Sequence, residues 1–269
     1  MTTFLVTGAT GRLGGAALRG LHSHVSSSDI RVLARTDHDA ARLSMNGVAA
    51  HRADYSEPAT LRDAFVGVDR LLFVSSPILD PVVRSSQHRA VIEAAIVADV
   101  GHVVYTSAMG APHDPGHTTA ETALGASGLG HTILRNGLYT DPFVARAIED
   151  SRTGAVRSAS AGGSIVTTSI ADLAAAAVTA LIDPPSKVMW ELRGPAWTFD
   201  EMASTLSRLT HQPIRHELVT DAETGAFSVL FPLIRRGVFS AETADLSELL
   251  TREPQGIEAV VAEQLRSRG

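Results

Sequence analysis

Three glycines frame the run Gly8-Ala9-Thr10-Gly11-Arg12-Leu13-Gly14, directly after the β-branched, apolar run Thr3–Thr7 and at the start of a helical pattern. Glycines at this spacing permit a tight turn, let a backbone approach a pyrophosphate and bring a helix close to a sheet. The helix start then offers free N–H groups and a positive dipole end to phosphate oxygens. Without a ligand the same run would be an ordinary glycine turn. Arg35 ends the second apolar run. A carboxylate there would bond an adenosine ribose hydroxyl, whereas arginine suits a 2′-phosphate, so NADP(H) is expected in preference to NAD(H). Arg12, inside the glycine run, could stack on adenine or assist the phosphate. The alternative for both arginines is a solvated surface charge. His113, Asp114 and His117 share a segment with Pro112, Pro115 and Gly116. A solvated loop is expected in preference to a metal site, with His117 a candidate general acid. His22 and His24 would complement the dipole at a helix end.

Other chemistries are excluded. There is no cysteine, so thiol nucleophiles, disulfides and cysteine–zinc sites are absent. The single lysine is Lys187, and none of Tyr55, Tyr105 and Tyr139 has a lysine four residues later. The net charge of −6 at pI near 6.0 lacks the basic excess of a nucleic-acid binder. The start MTTFLVTGATG has no basic leader, and no apolar run reaches membrane-spanning length, so a cytoplasmic protein without membrane contact is expected.

The elements that must position these residues alternate. Strand patterns at Thr3–Thr7, Ile30–Ala34, Val48–Arg52, Leu71–Val74, Val103–Thr106 and Thr132–Leu134 are separated by helical patterns. Those helices lie at Gly11–Ser23, Asp37–Met45, Ser56 to about Phe65, after the cap Asp80-Pro81, and between Thr118 and Ser127. Such alternation predicts an α/β fold: a Rossmann-like, doubly wound parallel sheet. The regularity weakens after Asp150. The expected division is 1–152, an NADP(H)-binding Rossmann domain, and 153–269, a smaller α+β C-terminal lobe covering the substrate. The helix Ile170–Ile182 is expected to pack back on the first domain. Thr198 with Glu201, and Thr220 with Glu223, read as capping boxes, and Ile257–Leu265 as a final amphipathic helix.

The start TGATGRLG, Arg35, Asp54-Tyr55, Ser75-Ser76-Pro77, Val104-Tyr105-Thr106-Ser107, the run Leu134–Tyr139 and Glu191–Thr198 together resemble the NmrA-like atypical short-chain dehydrogenases/reductases. Within them the chain is similar to the bacterial NADPH:quinone oxidoreductase 2 and triphenylmethane reductase group. That resemblance implies that Gly8, Thr10, Gly11, Arg12, Leu13 and Gly14 surround the pyrophosphate and Arg35 holds the 2′-phosphate of NADPH. It places Asp54 and Tyr55 beside the adenine, and Ser75 and Ser76 beside the ribose and nicotinamide. It places Ser107, Asn136 and Tyr139 at the nicotinamide and substrate. Residue-level alternatives remain: a backbone-capping hydroxyl for Ser107, interface packing for Tyr139, a helix-start carboxylate for Asp54. The group carries a His…Glu-Lys segment before the sixth strand; His117 and Glu121 fit it, and Thr122 stands at the lysine position. Threonine there can only hydrogen-bond. A quinone or conjugated cation, which accepts hydride without a strong acid, suits this set better than a plain carbonyl. The implied protein is an NADPH-dependent oxidoreductase acting on a small molecule. Two rivals stand: a non-catalytic NADP(H)-sensing regulator, and a tailoring ketoreductase or isomerase of secondary metabolism. Abundant arginine and alanine suggest a bacterial source, and a homodimer is left open.

Overall fold

The computed structural model describes residues 1–45 and 47–268. In chain order the elements are β1 (Phe4–Val6), α1 (Arg12–Leu21), β2 (Ile30–Ala34), α2 (Asp37–Ser44), β3 (Ala49–Arg52), α3 (Pro58–Phe65), β4 (Arg70–Val74), α4 (Pro81–Val97), β5 (His102–Ala108), α5 (Pro115–Ala126) and β6 (Gly130–Asn136). They continue with β7 (Leu138–Tyr139), α6 (Thr140–Ser151), β8 (Ala155–Ser158), β9 (Ile165–Thr168), α7 (Ile170–Ile182), β10 (Met189–Leu192), β11 (Ala196–Trp197), α8 (Phe199–Thr210), β12 (Arg215–Leu218), α9 (Phe231–Arg235), α10 (Asp245–Leu250) and α11 (Ile257–Arg266).

Two compact units result. The first is Met1–Asn136 with Leu173–Glu191; the second is Gly137–Asp172 with Leu192–Gly269. The sheet of the first unit runs β10-β6-β5-β4-β1-β2-β3, and β1 to β6 pair in parallel. This is the doubly wound, Rossmann-like arrangement. β1 and β4 adjoin, and the winding reverses between them. In such sheets the ligand crevice opens at the carboxyl ends of those two strands. The inner strands β1, β4 and β5 are buried nearly throughout. Leu5, Phe73, Val103 and Tyr105 lie in a core with Leu61 and Phe65 of α3, Val91 and Ala95 of α4, and Leu124 of α5.

Local sequence sets the helix starts. Asp80 caps α4 by accepting from the Val82 and Val83 amides at 3.0 and 2.9 Å, with Pro81 at the first helical position. Thr198 and Glu201 form the capping box of α8. Thr220 and Glu223 make the second box, but it opens a 3-10 segment, Asp221–Phe227. Gly225 at φ +60° interrupts helical geometry there.

The second unit has a three-stranded sheet, β11-β9-β7, and a parallel pair, β12-β8. Its core gathers Phe143, Trp197, Phe199, Phe231 and Val261. The division differs from the expected boundary at 152. The face Phe143, Val144, Ala147 and Ile148 of α6 packs into the second core, so the second unit begins at Gly137. Leu173–Ile182 of α7 belongs to the first unit. There Val178 lies against Gly20 of α1, and the Arg70 guanidinium donates to the Leu181 and Ile182 carbonyls at the helix end.

Candidate cofactor and active site

The glycine run forms a cradle at the end of β1. Gly8 has φ +62°, a conformation open to glycine, and a Cβ on it would stand 3.1 Å from Val74 Cβ at the end of β4. A Cβ on Gly14 would lie 2.3 Å from the Gly8 carbonyl oxygen, so its bare Cα is what lets α1 start against the turn. Gly11 is the N-cap of α1 and carries no capping side chain, and the first turn holds no acidic residue. The leading amides of α1 therefore meet no side-chain carboxylate of their own turn, the arrangement that suits an anionic phosphate. Thr10, Gly11 and Arg12 are exposed, whereas Leu13 is 6% exposed and its side chain is core; it can offer a ligand only backbone.

Arg35 follows β2 directly and is exposed, and it forms no ion pair among the described residues. Thr36 caps α2 by accepting from the Asp39 amide at 3.1 Å, leaving Asp37 in the first turn of the helix. Asp54, after β3, accepts from the Ser56 amide at 2.8 Å and so shapes the start of α3. The Tyr55 hydroxyl stands 2.5 Å from Thr7 Oγ1 and 2.8 Å from the Val74 carbonyl, and burial pushes its pKa up. Its phenol ties the ends of β1 and β4 together. The Ser75 amide donates to Thr106 Oγ1 at 3.0 Å. Ser76 is buried: its amide donates to His88 Nε2 at 2.9 Å, and its hydroxyl to Gln87 Oε1.

Ser107, on β5, is 3% exposed and donates to Glu121 Oε1 at 2.6 Å. Arg135 of β6 grips Glu121 with two bonds, 3.0 and 2.6 Å, and reaches Glu191 at 3.1 Å. Burial would raise the Glu121 carboxyl, but the bonded Arg135 guanidinium and Ser107 hydroxyl outweigh it and hold its pKa low. The single hydroxyl proton of Ser107 is thus committed to a carboxylate. Asn136, ending β6, is 5% exposed, and its Oδ1 is buried with no hydrogen-bond partner among the described residues. A buried acceptor left open is costly unless something fills it.

His117 is not on a solvated loop. It sits in the first turn of α5, 7% exposed, with Nδ1 2.7 Å from the Tyr105 hydroxyl; burial lowers its pKa. Asp114 caps α5 and pairs with Arg84 at 2.6 Å, while His113 is exposed. His117, Ala120, Glu121 and Leu124 face inward on α5. Thr122 is exposed and lines a surface groove with Arg89, Ile92 and Glu93 of α4.

The structure therefore gathers the glycine run, Arg35, Asp54, Tyr55, Ser75, Ser76, Ser107 and Asn136 at the carboxyl ends of one sheet, with His117 behind Tyr105. Tyr139 belongs to the second unit, where it pairs with Thr168 and precedes α6. Sequence reading missed Gln87 and His88. His88 stands at helical spacing with Val91, Ile92 and Ala95, so the helix had to bury an imidazole, and a buried imidazole requires partners. In the second unit, Ser158 Oγ is 2.7 Å from His216 Nε2, and His216 Nδ1 is 3.1 Å from Asp200 Oδ1. Those are nucleophile–base–acid distances, but Ser158 is fully buried and also bonded to Ser160, which makes the chain a structural one.

Comparison with known proteins agrees with this geometry. Residues 8–184 match a family model described as NAD(P)H-binding. The chain is 33% identical to quinone oxidoreductase 2 of Escherichia coli over 82% of its length and 79% of that protein's. It is 30% identical to an NAD(P)H azoreductase of Xenophilus azovorans over 80% and 77%. Among solved structures, a Citrobacter sp. triphenylmethane reductase complexed with NADP(H) superposes with a TM-score of 0.89 at 30% identity, covering 97% of this chain and 99% of that one.

Proposed function

The chain belongs to the NAD(P)H-binding family and is an NAD(P)H-dependent oxidoreductase, and we propose that it uses NADPH to reduce a quinone-like or other conjugated small molecule. The observation that carries the reading is the presence of two features at the carboxyl ends of one sheet. One is a glycine cradle that a Cβ would fill, in front of an uncapped helix start. The other is the open Oδ1 of buried Asn136. A dinucleotide fits both, with its diphosphate at one and a hydrogen-bond donor at the other.

In this reading Gly8, Thr10, Gly11 and Gly14 and the leading amides of α1, including those of Arg12 and Leu13, bind the pyrophosphate. Arg35 takes the 2′-phosphate. Asp54 and Tyr55 shape the adenine end of the crevice, and Ser75 and Ser76 the ribose side. Bound NADPH supplies a hydride. Asn136 accepts a hydrogen bond and fixes orientation. Ser107, its proton held by Glu121, offers an oxygen and not a proton. His117, neutral and bonded to Tyr105 through Nδ1, is not a strong acid. No residue of the set is an acid the reaction must have, which suits an acceptor already activated by conjugation. With Thr122 on the outer face of α5, no structural observation favours a sensor that has lost its chemistry.

The test is steady-state NADPH oxidation against a panel of quinones and cationic dyes. Saturable oxidation with at least one acceptor is expected. Tight NADPH binding without oxidation by any of them would refute the reductase reading.

A further inference from the structure

Two residues one turn apart on α4 grip the same two segments. Arg84 donates to the Ile78 carbonyl and pairs with Asp114, the N-cap of α5. His88 accepts from the Ser76 amide through Nε2, and its Nδ1 lies 3.1 Å from the Gly116 carbonyl in the first turn of α5. Each side chain thus bridges the segment leaving β4 to the start of α5. Gln87 extends the grip sideways, bonded to the Ser76 hydroxyl on one side and Ser56 on the other.

The proton positions follow from the partners. An amide N–H needs a lone pair, so Nε2 of His88 is unprotonated and its proton is on Nδ1. A carbonyl oxygen, that of Gly116, faces Nδ1 and can only accept. The Tyr105 oxygen also lies 3.3 Å from Nδ1, and the Tyr105 hydroxyl stands 2.7 Å from His117 Nδ1. With His88 donating to its oxygen, the Tyr105 hydroxyl can turn its own proton to His117 Nδ1. Edge-on contacts of His88 with Phe73 and Tyr105 fix the ring plane. His88 is fully buried, so none of these bonds has a solvent substitute.

We propose that His88 is a positioning residue for the cofactor, holding the Ser76 amide so that Ser75 and Ser76 stand at the β4 exit in the geometry that binds NADPH. The role rests on the reading that the strand ends hold NADPH. It acts through the backbone, so its signature is a binding defect: the NADPH affinity and its KM change, while the turnover at saturating NADPH does not. It also predicts which replacement rescues. Glutamine carries an acceptor and a donor on one side chain and can keep both bonds. Leucine keeps volume and loses both.

The experiment compares wild type, His88→Gln and His88→Leu by thermal melting, NADPH fluorescence titration and steady-state kinetics. For folded His88→Leu, NADPH affinity is expected to fall about tenfold, the effect of one lost hydrogen bond. Its turnover at saturating NADPH should stay within about threefold, and His88→Gln should bind NADPH within about threefold of wild type. Wild-type affinity in folded His88→Leu would overturn the role, and so would His88→Gln as weak as His88→Leu. If His88→Leu does not fold, nitrogen NMR of the wild-type imidazole decides: a proton on Nδ1 supports the role, and a proton on Nε2 overturns it. A wild type that binds neither NADPH nor NADH overturns the cofactor reading itself, and this role with it.

Discussion

Replacing Gly14 by alanine adds one methyl group where there is no room for it. The new Cβ would lie 2.3 Å from the Gly8 oxygen, 2.6 Å from the Gly8 carbonyl carbon and 2.9 Å from the Thr7 oxygen, all of them backbone. Carbon–oxygen contacts settle at about 3.3 Å or more, so the turn must retreat by about 1 Å. Overpacking of this kind costs about 1–3 kcal/mol, which for a chain of this size lowers the melting temperature by roughly 2–12 °C. The same retreat displaces the cradle, and a misplacement of about 1 Å can cost about a hundredfold. At 100 times the wild-type Kd, NADPH should stabilise the wild type by about 2.7 kcal/mol; a hundredfold weaker variant would gain only about 0.4 kcal/mol. The assay is a thermal melt of both proteins with and without NADPH. A Gly14→Ala protein with wild-type melting temperature and wild-type NADPH shift would refute the reasoning.

Gly11→Val is the counterpart: its Cβ would meet a single atom, the Gly8 oxygen at 3.3 Å, so circular dichroism should show a native fold while titration shows no NADPH binding. Arg35→Ala should weaken NADPH about ten- to a hundredfold and leave NADH unchanged, measured by calorimetry; equal losses for both would remove Arg35 from the 2′-phosphate. Ser107→Ala should slow turnover about tenfold at most, because the hydroxyl proton is bound to Glu121; a thousandfold loss in stopped-flow oxidation would show that Ser107 donates it after all. Stability should fall on acidification. Burial holds His88 at a pKa of about 4 against an ordinary 6.5, so the unfolded chain binds the proton first. The stability tied to neutral His88 is present above about pH 6.5 and fades as pH falls towards 4, by on the order of 2 kcal/mol at about pH 5. Denaturant titrations of wild type and His88→Gln should differ in that window, and parallel pH profiles would contradict the assignment.

Most of the sheet of the first unit was legible because its inner strands are short, largely apolar runs, and β2 and α7 fall on their expected residues. The glycine cradle was legible because its spacing encodes backbone geometry directly. The interior of the second unit was not. α6 carries its apolar face at Phe143, Val144, Ala147 and Ile148, a pattern that fixes a helix but not the core it packs against. The same limit applies to side chains. Glu121 and His117 could be matched to a motif, yet their partners Arg135 and Tyr105 lie on neighbouring strands, and no local spacing announces a contact made across the sheet. Thr122 shows the converse: one residue beyond Glu121 on a helix is a quarter-turn away, enough to move a side chain from the strand ends to the outer surface.

Label transfer tests hydride delivery most directly. The protein would be mixed with NADPH deuterated at the transferring position of the nicotinamide and a triarylmethane cation, whose reduced carbon retains what it receives. One deuterium is expected on that carbon for each NADPH consumed, with the yield abolished in Gly11→Val. Tightly bound NADPH that passes no label to this cation and is oxidised by no quinone would contradict it.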